Sequence, residues 1–208
     1  MTQHCLISQF EQVNVMNGRA NAAATAGACH NFAIHWCGLM LQDSDPAHAD
    51  TRMATLAANR GGASPVLQKV FTDAFSEQNR DWKTADDLCV AIRGLVRKDY
   101  VIPYGGYDQT QLKDTLLSPD WSAMVYSFDF PGGILGAANG CHSIAFFRPL
   151  HASKGKVSPV SDKISAYDPN FGEYLIDKIE LNYWINKLKQ TYAGNILYHR
   201  MFYLKENK

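Results

Sequence analysis

Apolar positions along the chain change period near its middle, and the change separates two kinds of element. From Cys29 they recur as Cys29, Phe32, Ala33, Trp36, Cys37, Met40 and Leu41. That is the i, i+3, i+4, i+7 spacing of an amphipathic helix. His30, Asn31, His35 and Gln42 fall on its other faces, and the turn-rich "DSDPAHAD" ends it. A second helix is expected from Ser64 and Pro65, its cap and first-turn residue. Leu67, Val70, Phe71, Ala74 and Phe75 form its apolar side. A third is expected after Thr84, with Asp86 and Asp87 in its positive first turn and Leu88, Ala91, Ile92 and Leu95 buried. "IPYGGYDQ" then breaks the pattern.

After that break the period becomes two. "AMVYSFDF" (123–130) and "CHSIAFFR" (141–148) read as strands joined by the glycine-rich "PGGILGAANG". "KISAYD" (163–168) and "EYLI" (173–176) follow, with "PNFG" as the turn between them. Residues 178–192 return to helical spacing through Leu181, Trp184, Ile185, Leu188 and Tyr192, with Gly194 as the end cap. "ILYHRMFYL" (196–204) reads as a last strand. Helices first and an antiparallel sheet afterwards predict an α+β domain. Residues 1–24 are polar and predict no element, so the domain is expected over 25–208, behind an N-terminal polar segment.

The totals narrow the picture. The 208 residues suit one domain with a sizeable core. Lys+Arg and Asp+Glu are both 20, so no bulk charge draws the chain to nucleic acid or an anionic membrane. Five cysteines without a C-x-x-C argue against a disulfide framework and for a reducing compartment, the producer's cytoplasm. No apolar run reaches the ~20 residues of a membrane span. The N-terminus lacks the basic start and apolar core of a signal peptide, so export would take a signal-less route. His30 and His35 do not share a helix face, and there is no H-E-x-x-H or zinc-spaced cysteine pair, so no metal or other cofactor is expected.

Three residues carry candidate chemistry. Cys29 opens its helix, where unpaired N–H groups and the macrodipole stabilise a thiolate, and Gly27 and Ala28 leave room for a substrate backbone. It also fits as a buried stripe cysteine, as Cys37 does. His142 starts a strand, a rigid mount for a base, and also fits as an ordinary strand histidine. Asp168 ends a strand before Pro-Asn, which is good turn chemistry without any function. Pairing joins the last two. If "CHSIAFFR" and "KISAYD" run antiparallel, the start of one meets the end of the other, bringing His142 to Asp168 across 26 residues. Cys, His and Asp then form a thiol triad.

"GACHNFAIHW", "HSIAFF" and "DPNFGEY" together resemble the YopT-like effector proteases of the papain-like cysteine peptidase clan. The marks come in the family's order, and "DPNFGEY" is the most specific of them. The resemblance implies a papain-like fold, with a helical part carrying Cys29 packed on an antiparallel sheet carrying His142 and Asp168. It implies a cysteine protease, secreted as an effector or toxin, that cuts a peptide or amide bond of a protein or peptide substrate in a target cell. A secretion-system or immunity partner would accompany that role. In the clan an amide side chain before the cysteine helps to form the oxyanion hole. Here the nearest amide is Asn21, eight residues back, and Thr25 is nearer. The backbone N–H of Cys29 would be the other donor. A papain-like amidase, acyltransferase or cell-wall peptidase would use the same triad. A non-catalytic interaction domain on this frame would have an inert Cys29.

Overall fold

The computed structural model describes residues 5–16, 28–58, 82–132, 139–153, 156–192 and 194–207. The helix expected from Ser64, the residues Asn21, Thr25 and Gly27, and most of "PGGILGAANG" lie outside these residues. The elements in chain order are β1 (Leu6–Gln9), α1 (Gln12–Met16), α2 (Cys29–Gln42), α3 (Ala49–Ala58), α4 (Trp82–Ala91), β2 (Leu95–Gly106) and α5 (Gln109–Leu117). There follow β3 (Ala123–Pro131), β4 (Asn139–Phe147), β5 (Leu150–Ser153), β6 (Lys156–Pro159), β7 (Lys163–Asp168), β8 (Gly172–Asp177), α6 (Leu181–Thr191) and β9 (Tyr198–Glu206). Among the described residues no helix is long and apolar enough to cross a membrane.

Among the described residues seven strands form one sheet in the order β1-β8-β7-β4-β3-β9-β2, and the neighbouring strands pair antiparallel. The expected α+β class is the one observed. Helices cover both faces of the sheet. Ala123, Val125, Ala145 and Phe147 meet Phe32, Trp36, Cys37 and Met40 of α2 on one face. Met124, Tyr126, Ile144 and Phe146 meet Trp184, Ile185 and Leu188 of α6, with Leu112 and Leu116 of α5, on the other. A strand covered on both faces has no outward polar set. This is why residues 123–129 are all buried, not alternately exposed. Each fully buried large apolar side chain contributes roughly 1.5–3 kcal/mol, so the two layers together hold β3 and β4 as the rigid centre.

Four expectations need correction. Residues 1–24 do contain an element: β1 pairs with β8 and forms an edge of the sheet. The strand is only four residues long, too short to show a period. The "IPYGG" of "IPYGGYDQ" is the end of β2, an edge strand whose irregular register tolerates Pro103. Asp108 then caps α5, its Oδ1 accepting from the N–H groups of Thr110 at 2.8 Å and Gln111 at 3.1 Å. In α4 the buried residues are Ala85, Asp86, Cys89 and Val90, while Leu88 (43%) and Ala91 are exposed, Ile92 (54% exposed) lies past the helix end, and Leu95 is buried in β2 instead. The helix turns Asp86 inward because a buried arginine awaits it. On α2, His30 and Asn31 are buried too, so that helix is enclosed well beyond its apolar stripe.

Candidate active site

The site lies where β4 begins, β7 ends, α2 starts and α6 finishes. β4 and β7 pair as expected, with Ala145 opposite Tyr167 and Phe147 opposite Ser165. Continued past the ladder, that register carries Asp168 to the opening end of β4. His142 Nε2 meets Asp168 Oδ1 at 2.9 Å, with both side chains buried. The Cys29 side chain, at the first residue of α2, lies beside the imidazole and acts on it electrostatically. The three sequence-predicted residues therefore come together, with the histidine between thiol and carboxylate. His35, His151 and His199 do not occupy that place. His199 is held by Tyr126 Oη and the Asp108 N–H, both at 3.3 Å, and His151 is exposed on β5.

Electrostatics follow from this geometry. Burial disfavours a charged His142, but the Asp168 carboxylate and then the Cys29 sulfur outweigh it, and the pKa is pushed up to about 10 from 6.5. Burial pushes the Cys37 thiol far up and that of Cys89 to about 12, so neither is a nucleophile at neutral pH. Ala28 at the α2 N-cap makes no side-chain capping bond, so among the described residues no N-cap side chain competes for the N–H groups at the thiol's end of the helix.

The "DPNFGEY" segment earns its residue types one by one. Asp168 Oδ1 also accepts from the Asn170 N–H at 2.9 Å, and the Phe171 N–H bonds the Asp168 carbonyl at 2.9 Å, which closes the turn. Gly172 has φ +129°, and a Cβ there would sit 2.0 Å from the Ser8 carbonyl of β1. Only glycine allows that approach. Glu173 is fully buried and accepts from Trp36 Nε1 at 2.8 Å and from Arg52 Nε at 3.0 Å, with Arg52 Nη2 on its other oxygen. The glutamate thereby ties β8 to the tryptophan two turns along from Cys29. Arg52 also donates to the carbonyls of Asp43 at 3.1 Å and Asp45 at 2.9 Å, which fixes the end of α2.

Sequence reasoning misses two other groups. Tyr192, read only as an apolar position, donates to Asp168 Oδ2 at 2.8 Å and stacks on the His142 ring at 4.8 Å between centroids. Nothing local marks it, because its partners lie far away in the chain. The second is a polar cluster under the Cys29 helix. His30 meets Asp86 Oδ1 at 2.9 Å and Ser143 Oγ at 3.2 Å, and Arg200 pairs with both oxygens of Asp86. His30 follows Cys29 and Ser143 follows His142, so the cluster locks the two backbones that carry thiol and imidazole.

No family model matches the sequence, and no curated protein matches it. Among solved structures the fold is similar to that of the Pseudomonas avirulence protein AvrPphB. The TM-score is 0.56 at 16% identity, covering 89% of this chain and 95% of that one. PatoxP, a cysteine protease-like domain of the Photorhabdus asymbiotica toxin PaTox, is matched with a TM-score of 0.44 at 16% identity. That match covers 95% of this chain and 54% of that one. The AvrPphB likeness bears out the YopT-like fold that the three sequence marks lead one to expect.

Proposed function

We propose that the chain is a cysteine peptidase whose nucleophile, base and orienting group are Cys29, His142 and Asp168. One observation carries the reading: the buried His142 ring is bonded through Nε2 to Asp168 and has the Cys29 side chain beside it. A carboxylate on Nε2 fixes the ring's orientation and leaves Nδ1 for the sulfur. His142 takes the thiol proton, and the thiolate adds to the substrate carbonyl carbon. The oxyanion is met by the Cys29 N–H, with Asn21 or Thr25 as second donor. Collapse of the intermediate breaks the C–N bond, and the imidazolium gives its proton to the leaving amine. Water, deprotonated by His142, then hydrolyses the thioester and frees the enzyme. The substrate is a protein or peptide, and the protein acts as an effector or toxin delivered into a target cell. The AvrPphB-like fold and the motif resemblance support this part of the reading.

The test is direct. An epoxide-bearing peptide probe should label Cys29 and spare Cys37 and Cys89. Wild type and Cys29→Ala are then expressed in the cytosol and periplasm of a bacterium and in a eukaryotic cell. Toxicity of wild type alone, in one compartment, is the expected result and locates the substrate. Equal toxicity of Cys29→Ala would end the thiol mechanism.

A further inference from the structure

We propose that Tyr192 is a positioning residue for the His142–Asp168 pair, holding the carboxylate by its second oxygen and roofing the imidazole with its ring. The proposal rests on the peptidase reading above. Tyr192 is the C-cap of α6, with φ −104° and ψ 67°, off the helical region, and its ring lies over His142 of β4. The ring lies nearly parallel to the imidazole, at 26°, and is wedged by Phe128, edge-on at 5.1 Å, and by the tilted ring of Phe130 at 5.2 Å.

The hydroxyl has one proton to give, and the neighbours decide where it goes. Asp168 Oδ2 can only accept, at 2.8 Å, so the proton points there. The Tyr192 oxygen in turn accepts from Asn170 Nδ2 at 3.0 Å, and Asn170 Oδ1 accepts from Gln12 Nε2 at 2.6 Å. The bonds thus run one way, from Gln12 through Asn170 and Tyr192 to Asp168. Gln12 stands on α1, whose own N–H bonds the Pro169 carbonyl at 2.7 Å, so the N-terminal segment anchors the far end.

The consequence is mechanical and electrostatic. His142 engages only Oδ1, and a carboxylate held at one oxygen can rotate or admit water. The phenol holds the other oxygen with a charge-assisted bond, which is about twice as strong as a neutral one. Its π face also favours a cationic imidazole beneath it. Phenylalanine would keep the roof and lose the bond, and leucine would lose both.

The full chain is compared as wild type, Tyr192→Phe and Tyr192→Leu. The readouts are the ¹⁵N-imidazole titration of His142, the pH dependence of Cys29 alkylation by iodoacetamide, and the thermal midpoint. Tyr192→Phe should fold as wild type does, titrate His142 at lower pH and slow Cys29 alkylation about tenfold at neutral pH. Tyr192→Leu should exceed it in both. A wild-type titration and alkylation profile in Tyr192→Phe overturns the proposal, even if Tyr192→Leu fails to fold. A wild-type Cys29 that reacts no faster than Cys89 overturns the peptidase reading and the proposal with it.

Discussion

His142 and His30 each direct Nε2 to a buried aspartate oxygen at 2.9 Å, yet their protonation is driven in opposite directions. Burial disfavours charge in both. Around His142 the Asp168 carboxylate wins and raises the pKa to about 10, because its other donors, the Asn170 N–H and the Tyr192 hydroxyl, are neutral. Around His30 burial wins and the pKa is lowered. There Asp86 already faces the Arg200 guanidinium and the Tyr100 hydroxyl, and the nearby cation repels a second charge. The two pairs share a contact distance and differ in what else the carboxylate holds. In one the charged form is favoured beside a thiol. The other is a neutral histidine bound into a structural ion pair.

The largest expected effect contrasts the two histidines in turnover. His142→Ala should cost at least about 10⁴-fold in kcat/KM while the protein stays folded. His30→Ala should retain measurable turnover and lose stability instead. Equal catalytic losses would mean that both histidines serve the reaction.

The aspartates should reverse the emphasis. Asp86→Ala leaves Arg200 buried without its carboxylate, so urea denaturation should report about 3–5 kcal/mol of lost stability. A loss below about 1 kcal/mol would remove Asp86 from the structural role. Asp168→Ala should damage mainly catalysis, leaving roughly 10- to 100-fold more activity than His142→Ala, since the base survives without its orienter. Wild-type activity in that variant would reduce "DPNFGEY" to a turn.

Acidity sharpens the contrast further. His142 is raised from 6.5 to about 10, so its stabilising contribution is complete below 6.5 and is lost as the pH rises through about 10. The alkaline limb of the kcat/KM profile should fall near that upper value, and Asp168→Asn should bring it down. His30 is lowered, so its unfolded form takes a proton first and stability is lost as the pH falls. Thermal midpoints from acid to alkaline pH should therefore flatten on the alkaline side in His142→Gln and on the acid side in His30→Gln. Unchanged curves would contradict the opposed signs.

The smallest effect belongs to Cys37, fully buried on α2 with its sulfur 3.6 Å from the Met124 carbonyl. Cys37→Ala should cost about 1 kcal/mol of stability and no activity. Lost activity there would make the two α2 cysteines equivalent and weaken the case for Cys29.

Local periodicity determined much of this protein. The stripe from Cys29 to Met40 was legible because a helix repeats its buried face every three to four residues. "KISAYD" was legible as a strand with its observed bounds, Lys163–Asp168. Even the meeting of His142 and Asp168 could be read from the chain, because antiparallel pairing places the start of one strand beside the end of the other. Only the tertiary structure decided the rest. The strand at Leu6–Gln9 is too short to carry a period, and it exists because β8 offers an edge and Gly172 leaves room for its backbone. Asp86 turns inward, against the apolar reading of its helix, because Arg200 arrives 114 residues later. Tyr192 reaches Asp168 from 24 residues away through the end of a helix. Buried polar groups demand partners, and which partner they find depends on how distant elements pack, which no local pattern records.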